Sequence, residues 1–216
     1  MELAYWNIRG LAQPIRLLLE YTGEKYEDKK FECGPAPDYD KSCWFDIKEK
    51  LKLDFPNLPY LMDGDVGVTQ SNAIMRYIGR KHDLLGKTEQ ERVRVDIMEN
   101  QAMDFRNGWV RLCYNPNFDD MKEGYLKSVK DVIAKFSKFL GDRQWFAGEN
   151  LTVVDFVMYE LLDQHKLLDA TLVEAHDNLT KFMKRFEELE PIKAYMASDR
   201  FMKGPLNNKM AKFGAE

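Results

Sequence analysis

The side chains of this 216-residue chain best suited to chemistry fall in three short segments, each beside an apolar run or a helix start. Tyr5-Trp6-Asn7-Ile8-Arg9-Gly10 ends an apolar run on two aromatics, and a phenol placed there can donate a hydrogen bond to an anion. Tyrosine in a strand also simply fills a core, so pattern alone leaves both roles open. Asn57-Leu58-Pro59 stands just before a second apolar run. A cis proline there would leave the Leu58 backbone free to pair with a bound peptide, whereas an ordinary turn would not. Thr69-Gln70-Ser71-Asn72 leads into a helix, whose first N–H groups and dipole favour a carboxylate. Capping of that helix by Ser71 accounts for the same residues.

Other chemistries find little support. His82, His165 and His176 stand singly, with no His-Glu-x-x-His and no Cys or His partner at ligand spacing, so no metal site is expected. A Gly-x-Ser-x-Gly elbow and a glycine-rich phosphate loop are both missing. Cys33, Cys43 and Cys113 are odd in number and form no Cys-x-x-Cys pair, which points to isolated thiols rather than disulfides or a dithiol redox centre. With 32 Lys+Arg against 36 Asp+Glu the net charge is −4, which offers no footprint for a phosphate backbone, so nucleic acid is not an expected partner. No stretch approaches the roughly 18 apolar residues of a membrane helix. Glu2 stands where a secretory leader carries positive charge, so a cytoplasmic location is expected. The sequons Asn150-Leu151-Thr152 and Asn178-Leu179-Thr180 are then without consequence.

The elements that must position these segments follow from periodicity. Leu3 to Ile8 reads as a strand, and a helix follows with Pro14 in its first turn, Ile15, Leu18 and Leu19 on one face, and Gly23 to end it. Tyr26 to Phe31 reads as a second strand, followed by an irregular loop from Cys33 and a short amphipathic piece from Ser42 to Lys50. Tyr60 to Met62 and Val66 to Thr69 flank Asp63-Gly64-Asp65, a turn so short that it forces an antiparallel hairpin onto a parallel pair. A helix from Ser71 through Ile74, Tyr77 and Ile78 completes β-α-β-α-β-β-α around a mixed four-stranded sheet. Beyond Lys87 all is helical: Thr88 or Glu89 to Asn115-Pro116, Glu123 to Leu140, Thr152 to about Leu167, and Asn178 to about Leu189. Thr152 and Asp155 form a variant capping box, which makes Asp155 architectural rather than catalytic.

A framework of this order, with a proline before its third strand and an all-helical region behind it, looks like the thioredoxin-like fold as arranged in cytosolic glutathione transferases. More narrowly, Tyr5-Trp6-Asn7-Ile8-Arg9-Gly10, Pro14 to Tyr21, Ala36 to Asp40, Asp54 to Tyr60, Thr69 to Tyr77 and Trp145-Phe146-Ala147-Gly148 resemble the mu class, over nearly the whole chain. The loop from Cys33 to Lys41 stands where that class carries its distinguishing insertion. The resemblance implies a transferase that conjugates the glutathione thiolate to small hydrophobic electrophiles, in detoxification, with glutathione as co-substrate and no other cofactor. It implies a glutathione-binding domain over 1–82, a linker over 83–88 and a helical domain over 89–216 carrying much of the electrophile site.

Site residues follow from the same resemblance. Tyr5 matches the catalytic tyrosine, and Trp6 and Leu11 match site-lining positions. Trp44 and Lys48 fall where the family grips the glycine carboxylate, by an indole N–H and an ammonium. Asn57 and Leu58 match residues that hold the cysteinyl part, and Gln70 with Ser71 the γ-glutamyl end. Asp104 matches an acid that reaches the γ-glutamyl amine of the other subunit, so a homodimer is implied, with Phe55 as a hydrophobic key and Arg76 near the axis. Trp6, Ile8, Leu11, Val110, Tyr114 and Asn207 match the electrophile site, Tyr114 as a proton donor to developing negative charge. Two residues depart from the pattern: Ala12 replaces a common threonine, and Asn207 replaces a common aromatic. One alternative is a catalytically weak ligand-binding or structural protein on the same scaffold, against which the full set from Tyr5 to Asp104 argues. A thioredoxin-like redox protein would need a cysteine near the start of the first helix, and the nearest is Cys33.

Overall fold

The computed structural model describes residues 1–216. Strand β1 (Glu2–Trp6) is followed by α1 (Gln13–Thr22), β2 (Glu27–Phe31), α2 (Ser42–Phe45) and a single 3-10 turn, Lys48–Lys50. The hairpin β3 (Tyr60–Asp63) and β4 (Val66–Thr69) then leads to α3 (Ser71–Lys81). The sheet order is β2-β1-β3-β4, parallel between β1 and β2 and antiparallel across the other two pairs, with Tyr5 opposite Lys30 and Ala4 opposite Tyr60. Leu3, Ala4 and Tyr5 are consecutive and all buried, as a central strand covered on both faces requires. The Asp63-to-Val66 turn makes the sheet mixed, as its length dictates.

The helical region comprises α4 (Glu89–Cys113), α5 (Phe118–Leu140), α6 (Val153–Leu168), α7 (Thr171–Glu174), α8 (Asp177–Glu187) and α9 (Glu190–Met196). Thr88 and Glu91 close a capping box at the start of α4. Asp155 is fully buried and accepts the N–H of Phe146 at 2.8 Å and of Thr152 at 2.8 Å, an architectural role. Helix α5 starts five residues before Glu123, because Phe118 is buried in a cluster with Trp109 and Leu112, and Asp119 and Asp120 suit the positive end of the helix dipole. Helices α7 and α9 escape a periodicity reading, since neither reaches two full turns of apolar repeat. No helix is long and apolar enough to cross a membrane.

His165 lies inside this helical region with no exposed surface. Its Nδ1 faces the Leu161 carbonyl at 2.6 Å, its Nε2 faces the Tyr125 hydroxyl at 2.6 Å, and Phe105 stacks on the ring at 4.1 Å. Burial pushes its pKa down to about 4. An unfolded histidine titrates near ~6.5, so between those values the unfolded chain takes up a proton that the folded chain refuses. Stability from this group is complete above about pH 6.5 and is lost as pH falls toward 4, to an extent of about 3 kcal/mol. Denaturant midpoints between pH 4.5 and 7 are expected to fall more steeply for the parent than for His165→Gln; parallel curves contradict a neutral buried imidazole.

Candidate functional site

Tyr5 is the penultimate residue of β1 and is 6% exposed. Its hydroxyl oxygen accepts the Leu11 N–H at 3.2 Å, which leaves the phenolic proton free to point elsewhere. Gly10 lies against this ring. A Cβ on Gly10 would sit 2.6 Å from Tyr5 Cε1 and 2.8 Å from its hydroxyl, and the residue has φ +42°. Only glycine satisfies both the contact and the left-handed backbone. The turn from β1 into α1 thus fixes the phenol beside buried Ile8 and half-buried Leu11, while Trp6, next on the strand, packs edge-on against Phe31 at 6.3 Å.

Trp44 on α2 is wedged between Phe31 and Tyr60, with ring centroids 5.5 and 6.1 Å away, and its indole N–H bonds to nothing within the chain. Lys48 follows on the 3-10 turn, its ammonium 3.3 Å from the exposed Glu49 carboxylate and 5.6 Å from the Phe45 ring centre. Such a surface pair is weak, so the ammonium can exchange it for another anion. The Leu58–Pro59 bond is cis. The Leu58 N–H bonds the Asn57 Oδ1 at 2.9 Å, and its carbonyl takes no backbone donor.

Gln70 adopts φ +73°, an uncommon conformation for a residue with a side chain, and such strain gathers at functional sites. It also corrects the expected cap: Gln70 occupies the position before α3, Ser71 is the first helical residue, and no side chain caps the helix. The early N–H groups of α3 are therefore open to an outside acceptor. A narrow cleft brings Ser71 together with Gly10 and Leu11, and across it stand Met103 and Arg106 of α4. Arg106 was not anticipated. It precedes Val110 by one helical turn and Tyr114 by two, so the same α4 face that carries those two residues pointed to it.

Tyr114 closes α4, and its hydroxyl oxygen accepts the Asn208 N–H at 2.8 Å. Burial pushes its pKa up to about 12. Neutral at physiological pH and with its oxygen engaged, Tyr114 keeps its proton for donation. A cavity of about 200 Å³ is lined by Ile8, Phe31, Cys33, Asn207, Lys209 and Asn208, the last being the residue whose N–H holds Tyr114. Asn207 is 3% exposed there, and its amide donates to the Phe213 carbonyl at 3.0 Å.

Three expected residues stand apart from this cluster. Asp104 is exposed on α4, in a groove of about 620 Å³ between α4 and α5. Phe55 is 75% exposed. Arg76 ties α3 to α4 through Asp96 and, at 2.5 Å, Glu99. No group of three His, Cys, Asp or Glu side chains is arranged to hold a metal ion.

Residues 1–80 match the family model described as glutathione S-transferase, N-terminal domain, and residues 103–199 the model of its C-terminal domain. The chain is 58% identical to glutathione S-transferase Mu 5 of Mus musculus over 99% of this chain and 96% of that one. It is 56% identical to glutathione S-transferase Mu 3 of Homo sapiens, over 99% and 95%. Among solved structures, the glutathione S-transferase Blo t 8 superposes with a TM-score of 0.91 at 31% identity, covering 99% of this chain and 100% of that one.

Proposed function

The chain belongs to the mu class of glutathione S-transferases, and from that premise we propose which of its residues bind glutathione, ionise it and protonate the product. The reaction joins the glutathione thiolate to a hydrophobic electrophile. The observation that carries the assignment is the Tyr5 hydroxyl, which accepts from Leu11, is held by Gly10 and is free to donate. A thiol of pKa near ~8.5 is only a few per cent thiolate at pH 7, and only the thiolate attacks. A neutral tyrosine, with pKa near ~10, donates to sulfur without competing for its proton. One such charge-assisted bond is worth about 1.5 to 3 kcal/mol, enough to lower the thiol pKa by about one to two units.

Binding falls to the groups around it. Trp44 and Lys48 offer an indole N–H and an ammonium to the glycine carboxylate, Leu58 offers backbone to the cysteinyl part with Asn57 beside it, and Gln70 and Ser71 take the γ-glutamyl carboxylate at the uncapped start of α3. Glutathione is co-substrate, and the chemistry needs no further cofactor. Residues 1–82 supply this half-site, 83–88 join it to 89–216, and α4 with the C-terminal segment supplies the electrophile side.

The working unit is a cytoplasmic homodimer. The exposed Phe55 finds its complement in Val93 and Ile97, one turn apart on α4 and 48% and 47% exposed, and Asp104 acts on the glutathione of the other subunit. Turnover of glutathione with a reactive aryl halide, measured beside a glutathione dissociation constant, separates this enzyme from a silent binder: binding without turnover rejects it.

Tyr114 completes the reaction where negative charge develops on the electrophile. Tyr114→Phe is expected to slow epoxide opening by about 100-fold, the lower end of what general acid catalysis supplies, and to leave aryl substitution nearly unchanged. Equal losses on both substrates reject the proton-donor role.

A further inference from the structure

Arg9 is 3% exposed, and its guanidinium lies between the two halves of the molecule. Nε donates to Glu160 Oε1 at 3.0 Å and Nη2 to Glu160 Oε2 at 2.6 Å, a bidentate fork onto α6. Nη2 also reaches Asp163 at 2.5 Å, and Nη1 reaches the Lys203 carbonyl at 3.3 Å. The main chain continues the tie: Arg9 N–H donates to the Pro205 carbonyl at 2.8 Å and Gly10 N–H to that of Leu206 at 3.1 Å. Glu160 is itself buried and held by Gln164 at 2.6 Å, so the fork has a fixed anchor.

Two short paths run from this anchor to the two hydroxyls. Gly10, next in sequence, lies against the Tyr5 ring, and Leu11 after it donates to the Tyr5 oxygen. On the other side Pro205 and Leu206 precede Asn208, whose N–H donates to the Tyr114 oxygen. We propose that Arg9 is a positioning residue that fixes the Tyr5 and Tyr114 hydroxyls by clamping the β1–α1 turn and the C-terminal segment to α6. This rests on the catalytic reading of both tyrosines given above. Lysine cannot replace the fork, because a single ammonium lacks the planar geometry that fixes Glu160 and the Lys203 carbonyl together.

The clamp is tested with Arg9→Lys and Glu160→Gln, each compared with the parent for three quantities: the pKa of the bound glutathione thiol, the rate of aryl substitution, and the rate of epoxide opening. Arg9→Lys keeps the positive charge, so an effect of charge alone leaves the thiol unmoved. Loss of positioning is expected to raise its pKa by about half a unit to one unit, slowing aryl substitution at neutral pH about 3- to 10-fold. Epoxide opening is expected to fall further, by about another 3-fold or more, because Tyr114 is displaced as well. Glu160→Gln sharpens the distinction and serves if the lysine variant does not fold. It removes a buried negative charge, which by itself lowers the thiol pKa, whereas a loosened fork raises it. An unmoved bound thiol in Arg9→Lys, or equal losses of both rates in either variant, overturns the clamp. Tyr5→Phe is measured alongside: if its bound thiol matches the parent's, the catalytic reading has failed instead.

Discussion

Phe55→Ala is expected to weaken the dimer by about a thousand-fold. A buried aromatic anchor at an interface contributes about 2 kcal/mol or more, and two-fold symmetry removes two of them at once. About 4 kcal/mol is close to three factors of ten in a dissociation constant. Phe55 is 75% exposed in the single chain, so its loss costs the fold of one subunit little. Glutathione affinity is expected to fall with dilution, as Asp104 leaves the other subunit's site, and to recover at high protein concentration. Sedimentation at low concentration, with glutathione titrations at two protein concentrations, checks both. A variant that remains dimeric, with unchanged affinity, removes the key and the contribution of Asp104 in trans together.

Tyr5→Phe is expected to cut the conjugation rate at pH 7 by about 10- to 100-fold, because the thiol pKa returns upward by one to two units and each 1.36 kcal/mol is a factor of ten. The ring stays, so the contact with Gly10 and the burial of β1 persist, and fold and dimer are expected to hold within about 1 kcal/mol. The Leu11 N–H loses its acceptor, a smaller effect near a half-exposed turn. Glutathione binding is expected to change little, since we assign it to Trp44, Lys48, Leu58 and Gln70. Raising the pH should restore part of the rate. A pH–rate profile identical to the parent's makes Tyr5 a packing residue.

Much of the architecture was legible because it rests on local rules. The Asp63-Gly64-Asp65 turn dictated the mixed sheet, Gly23 ended α1 in the left-handed conformation, and Thr88 marked the start of α4. Helix α5 was placed late because its first turn is anchored by tertiary contact of Phe118 with Trp109 and Leu112, which no periodicity records. The functional side chains were nameable only through resemblance, since a strand tyrosine is ordinarily core. What the coordinates add is orientation. The Leu11 donor at Tyr5, the Asn208 donor at Tyr114 and the fork from Arg9 to Glu160 join residues 6 to 151 positions apart, and the Gly10 approach adds a close contact at Tyr5. The contacts at Tyr5 are set by the fold of the β1–α1 turn, that at Tyr114 by packing of the C-terminal segment on α4, and the fork by packing of the two halves, so sequence pattern does not reveal them. Ser71 shows the converse: its type suited a cap, yet the backbone at Gln70 puts it inside the helix.

The most direct test is an ultraviolet titration of the thiolate in glutathione bound to the unaltered protein. Ionisation by the Tyr5 hydroxyl requires the bound thiol to titrate about one to two units below the ~8.5 of a free thiol, with the thiolate prominent by pH 7. A bound thiol that titrates where free glutathione does contradicts catalysis by thiolate stabilisation at this site.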